Sequence, residues 1–161
     1  MESVENESLR QSLAGFDGVW QRVTAGSSRF SSQETLEGLL PSVNALAGQY
    51  GALARRVPSG ERSGLLAQRR EYQRWKKRLQ GEYFIVTGRT YALPPVEPLP
   101  PERKAALRHL LLQEQTLAKT SATAAENAGD SPLMPLLDAL SATAATHARQ
   151  NRTRLLAWFG G

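Results

Sequence analysis

The sequence predicts an all-α domain: four helices paired as two antiparallel hairpins, one long crossover between the hairpins, and a further helix at the N-terminus. Three observations predict it. Apolar residues recur at steps of three and four over five segments, the period of one helix face. Two breaks between segments are tight turns, which force antiparallel neighbours. A third break, residues 88–100, is long and Pro-rich, and suits an extended strap along a bundle. At 161 residues the chain fits one domain, 1–161, with a core of its own.

The first segment, 4–24, carries Leu9, Leu13, Phe16, Trp20 and Val23. Gly15 and Gly18 weaken it, so it needs a bundle to lean on. Ala25–Ser32 reads as a loop. Ser31-Ser-Gln-Glu34 then resembles a capping box at the head of a helix over 33–56. Its stripe is Leu36, Leu39, Leu40, Val43, Leu46, Ala47, Tyr50 and Leu53, and Pro41 inside it predicts a kink or a restart. Val57-Pro-Ser-Gly60 is a tight turn. The helix over 60–87 follows with Leu65, Tyr72, Trp75, Leu79, Tyr83 and Val86. After the crossover, Pro100-Pro101-Glu102 suits a helix start, because proline lacks only a donor that the first turn does not use. The helix over 101–127 presents Leu107, Leu110, Leu111, Glu114, Leu117, Ala118 and Ser121. Asn127–Pro132 is the second tight turn, with Ser131 placed to cap. The helix over 132–158 presents Leu133, Leu136, Leu137, Leu140, Ala144, His147 and Leu155.

Composition excludes several chemistries. With no cysteine there are no disulfides, Cys-ligated zinc, iron–sulfur clusters or thiol catalysis. No apolar run approaches transmembrane length, and residues 1–30 lack a basic start followed by an apolar stretch. A cytoplasmic protein without a membrane partner is the expectation. The net charge of +5 raises nucleic acid as a partner, and Arg69, Arg70, Arg74, Lys76, Lys77 and Arg78 form one basic cluster. These residues point several ways around a helix and no nucleic-acid motif accompanies them. A solvated face is the expected reading, and nucleic acid is not an expected partner. His109, beside Arg108, reads as exposed.

Polar residues on inward stripes carry the sharper signal. Glu114 interrupts a leucine stripe, and His147 lies on the next one. Glu71 and Arg74, three apart, flank Tyr72 and Trp75. Counted from the turns near 58 and 130, Val43, Glu71, Glu114 and His147 fall at one level of the bundle. Tyr50 faces the same region and can donate a hydrogen bond to Glu71 or Glu114.

Over about residues 33–158 this pattern resembles the ferritin-like superfamily, in particular a rubrerythrin-like four-helix bundle. The likeness is clearest in Glu71–Gly88 and Leu107–Arg154. That family implies a di-metal site with one Glu from each of two helices and Glu-x-x-His from each of the others. Carried over by position, Glu71, Glu114 and His147 match metal ligands. Arg74 stands where a histidine belongs, Val43 where a glutamate belongs, and Ala144 where another belongs. The resemblance therefore implies a degenerate metal site. Arg74 is expected to stand in for the metal by pairing with Glu114 or Glu71, with His147 completing the cluster.

The expected function is that of a non-catalytic ferritin-like protein with no cofactor. Its role would be structural or an interaction, through a homodimer or another protein partner. The alternative is an iron- or manganese-binding rubrerythrin-like oxidoreductase using Glu71, Glu114 and His147. A nucleic-acid-associated bundle is the weaker third reading.

Overall fold

The computed structural model describes residues 30–160. The predicted helix over 4–24 lies outside the described residues. Within them the protein is an all-α bundle of four helices: α1 (Ser32–Ala54), α2 (Ser59–Thr87), α3 (Arg103–Ala128) and α4 (Leu133–Phe159). The boundaries fall within two residues of those the apolar period predicts.

α1 runs uninterrupted through Pro41. Proline in a helix interior removes one backbone hydrogen bond and costs about 3 kcal/mol. The residues on either side offset that cost, since Leu39, Leu40 and Val43 are all buried. The whole predicted stripe of α1, from Leu36 to Leu53, is buried. In α2 the buried positions are Leu65, Gln68, Tyr72, Leu79 and Tyr83. Trp75 is only half-buried, and Val86, in the last turn, is exposed. Leu107, Leu110 and Leu117 of α3 and Leu136, Leu137 and Leu140 of α4 are buried as well.

The crossover is held first to α2 and then to α1 and the turn after it. Near the end of α2, Gln80 clamps Tyr91 by two hydrogen bonds, donating to its carbonyl and accepting from its N–H, both at 2.9 Å. Midway, Gln49 Nε2 donates to the Glu97 carbonyl at 3.0 Å, and Val96 packs over Gly48. Farther on, Arg56 Nη1 donates to the Pro100 carbonyl at 2.6 Å, and Leu99 is buried. The strap thus travels from the start of α1 to its end. α3 can then run parallel to α2, and α4 parallel to α1.

α2 ends at Gly88, whose φ of 74° places it in the left-handed region, with its N–H bonded to the Phe84 carbonyl. A side chain at 88 would meet no atom within 4 Å, so the only obstacle to one is backbone strain. Gly88→Ala is expected to cost about 1–2 kcal/mol. The urea midpoint should fall while the slope of the transition stays unchanged.

Candidate functional site

One carboxylate lies at the centre of the bundle. Glu114 of α3 is fully buried. Its Oε2 accepts from the Tyr50 hydroxyl of α1 at 2.7 Å and from the Tyr72 hydroxyl of α2 at 2.8 Å. Its Oε1 accepts from Asn151 Nδ2 of α4 at 2.7 Å. The same Asn151 amide lies 2.7 Å from the Tyr50 oxygen, and Asn151 Oδ1 accepts from Arg154 Nη1 at 2.7 Å. Three donors from three other helices therefore solvate Glu114 where water cannot reach it.

His147 lies beside this knot. Its Nε2 sits 2.6 Å from Glu71 Oε1, and its Nδ1 faces Glu114 Oε2 at 3.5 Å without a hydrogen bond. The ring meets Tyr72 edge-on at 4.8 Å between centroids, and Tyr72 stacks on Tyr50 at 5.9 Å. The imidazole thus bridges a buried carboxylate and one that is 42% exposed. Glu71 opens onto a cleft of about 510 Å³ between α2 and α4, lined also by Gln68, Gln150 and Arg154.

Burial pushes both phenols, Tyr50 and Tyr72, far above their ordinary range, and the negative charge of Glu114 adds to the shift. Both remain donors at any pH at which the fold persists. Arg154 is shifted the other way, because half-burial penalises its charge.

The structure brings together Glu71, Glu114, His147 and Tyr50 as the sequence suggests, and it corrects the expectation for Arg74. Arg74 is exposed and does not join the cluster. Among the described residues it has no hydrogen-bond or ion-pair partner. The reason is angular: at about 100° per residue, Arg74 stands 200° around α2 from the inward Tyr72. Arg154 is the arginine tied to the cluster, through Asn151. Val43 is buried but contributes no polar group, and α1 reaches the cluster from Tyr50, two turns farther along. Ala144 is likewise buried and apolar. His109 is half-buried, not exposed.

Sequence reasoning missed Asn151 and Arg154 and read Tyr72 as packing alone. Asn151 begins a match to the glycosylation pattern, yet it is wholly buried and hydrogen-bonded. The available signal was spacing: 147, 151 and 154 follow one another at four and three on one face of α4.

The donor set does not fit a di-metal centre. Both oxygens of Glu114 are already engaged by donors, and Val43 and Ala144, where the resemblance would call for glutamates, are buried aliphatic side chains. Among the described residues no group of three His, Cys, Asp or Glu side chains is arranged to hold a metal ion. Comparison with known proteins finds no matching family model, no matching curated protein and no matching solved structure.

Two expectations follow. Tyr50→Phe and Tyr72→Phe each remove a donor from a buried carboxylate and should cost about 1–3 kcal/mol. Because both bond the same oxygen, the double variant should depart from additivity by about 0.5 kcal/mol or more in urea melts. The second concerns alkali. A phenol whose folded-state pKa is raised contributes stability that is complete below its unfolded value of about 10 and is lost as pH rises beyond it. Tyrosinate absorbance from Tyr50 and Tyr72 should therefore appear only together with loss of helical circular dichroism.

Proposed function

We propose that this protein is a metal-independent member of the ferritin-like bundles, with a structural or interaction role and no redox catalysis. The observation that carries the reading is that both oxygens of Glu114 already accept hydrogen bonds. A metal ligand must offer a lone pair to a cation, whereas Tyr50, Tyr72 and Asn151 occupy both oxygens with hydrogen-bond donors. Val43 and Ala144, at two other family positions, close the space with aliphatic groups. The interior chemistry is thus spent on joining four helices. An interaction role is supported by Phe84, Ile85 and Val86, three consecutive apolar side chains exposed at the end of α2. A second copy of the chain or another protein is the proposed partner.

The second reading is an iron- or manganese-binding oxidoreductase. One observation favours it: His147 Nδ1 has no hydrogen-bond partner and lies near two carboxylates, so Glu71, Glu114 and His147 form a partial donor set. In that case the metal would supply redox chemistry, and these three side chains would hold it.

Metal analysis of protein purified without chelator separates the readings. The expected result is iron and manganese far below one equivalent per chain, with unfolding unaffected by chelator. Near-stoichiometric metal that disappears in Glu114→Ala or His147→Ala would overturn the proposal.

A further inference from the structure

The two flanks of α2 differ in charge, and the outer one has no role in the interior described above. The α4 flank carries Gln68 and Glu71, which bond Gln150 and His147. The α1 flank carries Arg62, Arg69 and Lys76, each seven residues from the next. That spacing sets a charge every two turns, about 10.5 Å apart. Arg62 donates to the Ala54 and Val57 carbonyls at 2.9 and 3.0 Å, and Lys76 donates to Asn44 Oδ1 at 3.2 Å. Arg69 lies across the backbone of Gly51, where a Cβ would sit 3.2 Å from its Nε. Every one of these partners is neutral, so among the described residues no carboxylate pairs with these charges.

Arg70, Arg74 and Lys77 extend the row around the outer face of α2, and all three are exposed. Six basic residues of α2 therefore share the α1 flank and the outer face, and Arg78 alone of the cluster falls on the α4 flank with Glu71. The row spans about 22 Å from Arg62 to Lys77. Its nearest acidic neighbours on α2 do not interrupt it. Glu71 is turned to His147, Glu61 lies in the first turn, and Glu82 lies beyond Arg78.

At one end the row deepens into a shallow hollow of about 530 Å³, lined by Gly51, Ala54, Arg55, Arg62, Leu66 and Arg69. Three guanidinium groups border it and no carboxylate does. Among the described residues Arg55 and Arg69 have no hydrogen-bond partner, and Arg62 keeps one terminal nitrogen free. Forked guanidinium donors match the oxygens of a phosphate group.

We infer that the α1–α2 face binds the phosphate backbone of nucleic acid, with the Arg55–Arg62–Arg69 hollow seating one phosphate and the α2 row following the strand. A single phosphate would use the hollow alone, whereas the charge continues along the helix. A lipid surface would call for apolar side chains to enter it, and no large apolar residue is exposed between Arg55 and Arg78. Recognition of this kind reads charge spacing and not base sequence.

Fluorescence anisotropy with labelled single- and double-stranded oligonucleotides of about 20 nucleotides per strand, titrated between about 50 and 200 mM salt, tests the inference. The expected result is binding that weakens steeply with salt and is indifferent to sequence. Arg55→Glu with Arg69→Glu should weaken it at least about tenfold and flatten the salt slope by about 2. Arg149→Glu with Arg152→Glu changes net charge equally in the separate α3–α4 groove and should shift affinity by less than about threefold, the part that a general loss of charge explains. Arg62 is left intact because it caps α1. If circular dichroism shows that a reversal unfolds the chain, Arg55→Gln with Arg69→Gln replaces it and should still weaken binding. Absence of binding at low salt, equal loss in both pairs, or binding of phosphatidylserine vesicles or inorganic phosphate without oligonucleotide binding would each overturn the inference. It goes beyond the interaction role proposed above and uses none of the interior residues, so a failed metal result and a failed binding result are distinguishable.

Discussion

A carboxylate at the centre of a helical bundle is the constraint on which the rest of this structure depends. Glu114 is wholly buried, and an ionised group left unpaired in such a place costs far more than a small domain can spare. The protein meets this with three hydrogen bonds, one from each of the other helices: Tyr50 from α1, Tyr72 from α2 and Asn151 from α4. Each donor must arrive at the correct height and angle. Sliding any helix by one turn would move its donor by about 5.4 Å and strand the carboxylate. Leucine contacts around the core are non-directional and tolerate several registers. The polar knot does not, so it selects one register among those the leucines allow.

The crossover solves a related problem. Parallel pairing of α1 with α4 and of α2 with α3 requires the chain to return the length of the bundle between Thr87 and Arg103. Prolines keep that return extended but remove backbone donors. The carbonyls left without intrachain partners are met by side chains instead, namely Gln80, Gln49 and Arg56. Gln49 also accepts from Gln113 Nε2 of α3. The same glutamine therefore ties the strap to two helices beside the buried carboxylate.

Much of this was legible in the sequence, for reasons that differ by residue. Helix positions followed from apolar period, because burial demands it. Glu114 and His147 stood out because a polar group on a leucine stripe has no bland alternative. Arg74 misled because three-residue spacing from Glu71 guarantees proximity to Glu71 only, not to the core. Glu71 itself is a flank residue, and Arg74 lies 100° beyond the opposite flank when Tyr72 defines inward. Tyr50 was legible as a donor because it lies on the inward stripe of α1, and its length carries the hydroxyl to Glu114. Asn151 had no signal of its own. Asparagine is common at surfaces, and only the position of its neighbours shows that its amide supplies a bond that a carboxylate needs.

The two halves of the polar inventory obey different economies. Inside, each charged group is held by directed partners: Glu114 receives three donors, Glu71 meets His147, and Arg154 reaches the knot through Asn151. Outside, on the α1 flank of α2, no carboxylate among the described residues pairs with the basic row. The hydrogen bonds made there by Arg62 and Lys76 go to carbonyl and amide oxygens, and a neutral glutamine could make bonds of the same kind. Folding therefore uses the donors of these side chains but not their charge. Like charges spaced along a helix repel one another by a few tenths of a kcal/mol per close pair. A fold selected for stability alone would gain by interspersing carboxylates, as surface helices commonly do. The row along α2 forgoes that gain, and an external polyanion is the partner that would supply the missing negative charge.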